Sequence, residues 1–136
     1  MYIIYKILTG KILASSNNPN QTLDISEELL ESAEIDDLFS NYVENGVIKK
    51  IPPNPYKYGK FDYSTKNWVI DTEAATTEVL NKRNQLLTES DWISYRAYET
   101  NTPIPQVWLD YRQALRDITL QVGYPLDVVW PTPPGA

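Results

Sequence analysis

The 136-residue chain contains no cysteine and no histidine. That removes disulfide bonding, the usual Ser–His and Cys–His nucleophile pairs, and most transition-metal sites. Only five glycines occur, and they stand apart, so neither a phosphate-cradling loop nor a dinucleotide fingerprint is present. No apolar run approaches the ~20 residues that span a bilayer. The opening Met1-Tyr-Ile-Ile-Tyr-Lys-Ile-Leu8 is too short for a secretory leader and lacks its basic start, so it reads as a strand and the expected compartment is a cytoplasm. Basic stripes are missing as well. With a net charge of −6 and scattered Lys and Arg, the chain offers nothing to neutralise phosphates, which argues against nucleic acid as a partner.

Carboxylates are more plentiful, and pairs of them can act as acid and base. Asp36-Asp37 and Glu27-Glu28 read instead as solvated helix starts, and Asp62 and Asp71 as turn and cap residues. Calcium-loop spacing is absent. No catalytic, metal-binding or cofactor-binding residue is assigned, and the expectation is a protein that is not an enzyme.

What the chain has in quantity is aromatic side chains of one kind: ten Tyr and four Trp against two Phe. These residues join large apolar area to a polar handle and are enriched where proteins meet.

Turn and periodicity signals divide the chain near residue 70. Tyr2–Leu8 and Lys11–Ala14 flank Thr9-Gly10 as a hairpin, and Lys60–Tyr63 with Asn67–Ile70 forms a second around Ser64-Thr-Lys66. Between them, Thr22–Ile25 is a short strand, Ser26–Leu30 and Asp36–Val43 are short helical pieces, and Val47–Ile51 is a strand closed by Pro52-Pro53. Asp71-Thr72 then caps a helix from Glu73 to about Leu87. Asp91–Ile104 reads as irregular. A second helix from Pro105 carries an apolar stripe of Trp108, Tyr111, Leu115, Ile118 and Val122 at spacings of three and four, and ends at Gly123. Tyr124–Pro134 is extended, because its prolines forbid helix. The fold class is therefore α+β, with a small β-rich unit over 1–70. Residues 71–136 follow as a helical hairpin with an extended proline-rich tail.

Three blocks of the C-terminal part occur in a recognisable order: Asn81-Lys-Arg-Asn-Gln-Leu-Leu-Thr-Glu-Ser-Asp-Trp92, Trp108-Leu-Asp-Tyr-Arg-Gln-Ala-Leu-Arg-Asp-Ile118, and Val128-Val-Trp-Pro-Thr-Pro-Pro134. This order resembles the phage tail assembly chaperone (tail-fibre assembly protein) family. Its members carry an Arg-Asn/Asp-x-Leu-Leu helix ending in Ser-Asp-Trp, a Trp-x-x-Tyr-Arg-x-x-Leu-Arg helix, and a terminal Val-x-Trp-Pro-x-x-Pro. Ile93–Glu99 departs from the Leu-Pro-Asp-like segment that commonly follows Asp-Trp, and the N-terminal half has no firm counterpart.

The resemblance implies a chaperone that binds a phage tail or tail-fibre protein without catalysis, in the host cytoplasm during assembly. The alternative is a structural virion component: a tail-fibre cap, adaptor or baseplate accessory kept in the mature tail. A trimeric fibre is a further candidate partner; nucleic acid and membrane are not. The candidate partner-binding residues are Trp92, Tyr95, Tyr98, Arg112, Arg116, Trp130, Pro131 and Pro133. For Trp92 and the two arginines, packing and capping within the chain compete with that role. The tail has two open dispositions, outward into a partner's groove or back over its own helices.

Overall fold

The protein is seen in a computed structural model that describes residues 1–33 and 35–135; residues 34 and 136, inside the predicted segments 1–70 and 71–136, lie outside the described residues. The chain forms two compact units, Met1–Ile70 and Asp71–Ala136, and its class is α+β.

In the first unit, β1 (Tyr2–Lys6) lies between β2 (Ile12–Ser16) and β3 (Glu27–Glu31), antiparallel to both. Two hairpins follow: β4 (Asn41–Glu44) with β5 (Val47–Lys50), and β6 (Gly59–Asp62) with β7 (Asn67–Ile70). The strand period of two turns Ile3 and Tyr5 inward, where they form a core with Ile12 and Val43. The amide of Val43 donates to the Gly10 carbonyl at 2.8 Å, which brings β4 to the first turn. Only glycine fits there: φ is +68°, and a Cβ would stand 1.8 Å from the Val43 oxygen. Lys66, in the β6–β7 turn, donates to the carbonyls of Thr9 and Tyr63 and lies 5.3 Å from the Tyr42 ring centre. Asp62 starts that turn by accepting from the Ser64 amide at 2.8 Å, as its reading as a turn residue anticipates.

Three expectations fail in this unit. Ser26–Leu30 is not helical: Glu27–Glu31 is strand β3, paired from Tyr2↔Glu31 to Lys6↔Glu27. The second edge of β1 needs a partner, and that pairing outweighs the helix preference of Glu and Leu. Asp36–Val43 yields only one 3-10 turn, Leu38–Ser40, capped by the Asp37 carboxylate, before the chain enters β4. Asn45 and Gly46, at φ of 52° and 72°, form a tight hairpin turn between β4 and β5 and do not terminate a helix. Thr22–Ile25 is no strand; its Asp24 accepts from the Ser26 amide at 3.1 Å and turns the chain into β3.

The second unit contains α1 (Thr72–Glu89), α2 (Trp92–Thr100) and α3 (Gln106–Arg116), the last continuing as a 3-10 turn over Asp117–Leu120. Asp71 caps α1 by accepting from the Ala74 amide at 2.9 Å, as predicted. The two expected helices pair, α1 on α3, but the connection predicted as irregular holds a third helix. That helix stops where Asn101 enters the left-handed region at φ 50°. Tyr111, Leu115 and Ile118 are buried, whereas Val122 is fully exposed, because the 3-10 turn ends before it and takes it off the stripe. No described helix is long and apolar enough to cross a membrane.

Burial, then the hydrogen bond donated to Glu28 and that carboxylate's charge, push the Tyr5 phenol up from 10.0 to about 12. A raised folded-state value means the fold favours the neutral phenol. The contribution is complete below about pH 10 and disappears as pH rises towards 12. Tyr5→Phe should therefore cost about 1 kcal/mol at pH 7, yet lose less stability than the parent between pH 10 and 12. Urea melts across that range check this; equally steep limbs would remove Tyr5 from the account.

Candidate protein-binding surface

Helix α1 ends with unpaired carbonyls, as every helix does, and its sequence there is Leu86-Leu-Thr-Glu-Ser-Asp91. Ser90 is only 3% exposed and donates its hydroxyl to the Leu86 and Leu87 carbonyls at 2.9 and 3.0 Å. Arg112 reaches this point from α3. One guanidinium nitrogen donates to the Leu87 carbonyl at 2.8 Å and to Ser90 Oγ at 2.6 Å, and the other donates to Asp91 Oδ1 at 2.8 Å. A planar, forked cation suits three acceptors in this arrangement, and an ammonium does not. Arg112 thus has a demonstrable role inside the chain, fixing where α1 turns into α2.

Directly beyond this junction, Trp92 packs edge-on against Trp108 with ring centres 5.4 Å apart, and Trp108 meets Tyr111 in the same way at 5.8 Å. Ile93 goes to the core at 4% exposure. The rest of the helix turns outward: Trp92 is 47% exposed, Tyr95 69% and Tyr98 88%. At about 100° per residue these three rings occupy an arc of about 120°, opposite the buried side of α2. Side chains of this size held in water are the informative departure from ordinary surface.

The tail, expected to be extended from Tyr124, turns at its start instead, where the Asp127 amide donates to the Gly123 carbonyl at 2.7 Å; beyond that it has no regular secondary structure, but it is fastened. Gln121 accepts from the Val129 amide at 2.7 Å and donates to the Val129 carbonyl at 2.8 Å, so its side-chain amide acts like a neighbouring strand. Trp130 lies beside α1, with the Lys82 ammonium 4.5 Å from its ring centre. Pro131 lines a shallow groove with Val107, Tyr111 and Ala114 of α3, and Pro133 is exposed. Of the two dispositions open to the tail, this structure has the one folded back over its own helices. Arg116 is exposed and meets Gln113 Oε1 at 3.4 Å, a long contact that fixes little.

Among the candidate residues, the structure therefore groups Trp92, Tyr95 and Tyr98 on one face, ties Arg112 into the fold, and seats Trp130 and Pro131 on α1 and α3. Lys82 and Gln121 were not singled out from the sequence, since neither contact follows a local spacing rule. For Arg112→Ala, the loss should be about 2–3 kcal/mol, because a buried hydroxyl and a carbonyl lose their donor. Arg112→Lys should recover less than half of it. Chemical denaturation checks both; a full rescue by lysine would mean that charge alone matters.

The family model described as phage tail assembly chaperone protein matches residues 76–135, from the second turn of α1 to the end of the tail. No curated protein and no solved structure matches the chain.

Proposed function

We propose that this chain, whose residues 76–135 match the phage tail assembly chaperone model, binds a tail or tail-fibre subunit in the infected cell and holds it for assembly, without catalysis. The observation that carries the reading is the α2 face. Trp92, Tyr95 and Tyr98 stand in water on a helix whose position is fixed by the Arg112 junction. Aromatic anchors on a rigid support are the residues that dominate protein–protein recognition. Such a face covers apolar or strand-edge surface of an unassembled subunit until its correct neighbour displaces it. Within this reading, Arg112 acts through placement of the face and not through the partner. Trp130, Pro131 and Pro133 rank below the ladder, since the first two already contact the chain's own helices.

The second reading keeps the protein in the virion as a fibre cap, adaptor or baseplate accessory. It is favoured by the fastened tail, since a proline-rich terminus held by Gln121 and Lys82 suits a permanent part.

Tyr95→Ala with Tyr98→Ala should leave stability within about 0.5 kcal/mol of the parent, because both rings are exposed. In a phage carrying this pair, assembled tails should fall at least tenfold if each ring contributes about 1 kcal/mol or more of binding. Normal tail numbers by electron microscopy would refute the role given to this face. Quantitative mass spectrometry of purified particles separates the two readings: absence supports the transient chaperone, and a fixed ratio to a tail protein supports the virion component.

A further inference from the structure

The aromatic ladder of α2 is bounded by carboxylates, and this bears on what it binds. Asp91 precedes Trp92 at the N-terminus of the helix, and Glu99 follows Tyr98 near its C-terminus. At about 100° per residue, Asp91 falls between Tyr95 and Tyr98, and Glu99 between Trp92 and Tyr95, so both acids share the ladder's face. They are about 12 Å apart along the axis. The one cation of this helix, Arg96, borders the ladder between Trp92 and Ile93 and lines a small hollow with Ala97, Thr102, Pro103 and Pro105, at the connection to α3. Asp91 keeps exposed surface although Arg112 holds its Oδ1, its side chain being 47% accessible.

Resting on the assembly reading above, we infer that the α2 face receives a segment of a tail protein that is apolar in its centre and carries lysine or arginine at both ends. The ring faces of Trp92, Tyr95 and Tyr98 present negative quadrupole, which attracts a cation as well as apolar surface. The carboxylates at each end supply matching charge. A second copy of this chain fits worse. Antiparallel pairing about Tyr95 sets Trp92 against Tyr98 favourably, but it brings Asp91 against Glu99 at both ends. Parallel pairing sets each acid against its own copy. Like charges so placed oppose self-association and leave the face to a basic partner.

The test uses the full chain and two synthetic peptides with the same leucine-rich centre, one flanked at both ends by lysine pairs and one by glutamate pairs. Fluorescence anisotropy of the labelled peptides reads the dissociation constants. The lysine-flanked peptide should bind about fivefold more tightly, the size expected for an exposed ion pair gained at Glu99 in place of a repulsion, with a smaller share from Asp91, whose charge Arg112 already pairs. Glu99→Lys, at an exposed position, should shrink that ratio to about threefold or less, and raising the salt should shrink it in the parent. Tyr95→Ala with Tyr98→Ala should weaken both peptides together. Equal binding of the two peptides by the parent, or a ratio unchanged in Glu99→Lys, overturns the inference. So does concentration-dependent dimerisation lost in the tyrosine pair, which would make a second copy the occupant. If the peptides show no charge preference while the tyrosine variants still lose tails, the partner chemistry falls and the assembly role stands.

Discussion

One guanidinium decides the geometry of the C-terminal unit. A helix end is a set of carbonyls without partners, and a chain that turns sharply after it must satisfy them from outside. Here Ser90, the residue that closes α1, takes part of that task, and Arg112 takes the rest from α3 while also holding Asp91 at the head of α2. All three helices are therefore fixed at a single point, by charge-assisted bonds with defined directions. Packing alone would leave more freedom. Buried side chains in α1 are small, Ala75 and Val79, and α2 buries only Ile93, so apolar area by itself specifies the angles weakly. The exposed face of α2 owes its orientation to the junction as much as to the core beneath it.

The N-terminal unit meets a different constraint, that a strand must be paired on both edges once it is buried. Ile3 and Tyr5 bury β1, and β2 and β3 cover its two sides. Charged residues of β3 are used in that cover, since Glu27 pairs with Lys6 at 3.0 Å and Glu28 accepts from Tyr5. The other two sheets are single hairpins, held by aromatic contacts where Phe61 meets Tyr42, Tyr63 and Trp68 at 5.1–5.6 Å. In this unit the abundant tyrosine and tryptophan serve packing. In the α2 ladder only Trp92 packs, against Trp108, while Tyr95 and Tyr98 stay exposed, and that contrast sets the two tyrosines apart.

How much of this could be read from the sequence follows from the range of each cause. Local causes were legible: the glycine and lysine turns of both hairpins, the Asp71 cap, and the stripe from Trp108 to Ile118 all act over a few residues. Distant causes were not. Glu-Glu-Leu-Leu-Glu is a good helical string, and only the need of β1 for a partner 25 or so residues away makes it a strand. Helix α2 was missed because its outward face is aromatic and its buried side shows little besides Ile93, so the usual apolar periodicity is inverted. The motif order pointed to the family whose model matches residues 76–135, but not to the α2 face, since Ile93–Glu99 is where the chain departs from that pattern. Arg112 was named from the sequence with two possible jobs, and geometry gives it the internal one.

The size of the α2 face bears on what kind of binding it supports. An aromatic side chain buries about 150–250 Å² when fully covered. At 47%, 69% and 88% exposure, Trp92, Tyr95 and Tyr98 together offer roughly 300–500 Å². A lasting specific complex covers about 800 Å² on each partner. The ladder alone therefore falls short of permanence, and its acidic ends improve the rate and selectivity of encounter more than its strength. For an assembly factor this is the useful regime. A subunit must be held against its own aggregation and then released when a larger, better-matched neighbour offers its surface, and a small aromatic face with charged ends loses that competition by design of scale. Permanent residence in the virion would require added contact area from elsewhere on the chain, which is why the amount of protein in finished particles bears directly on whether α2 acts alone.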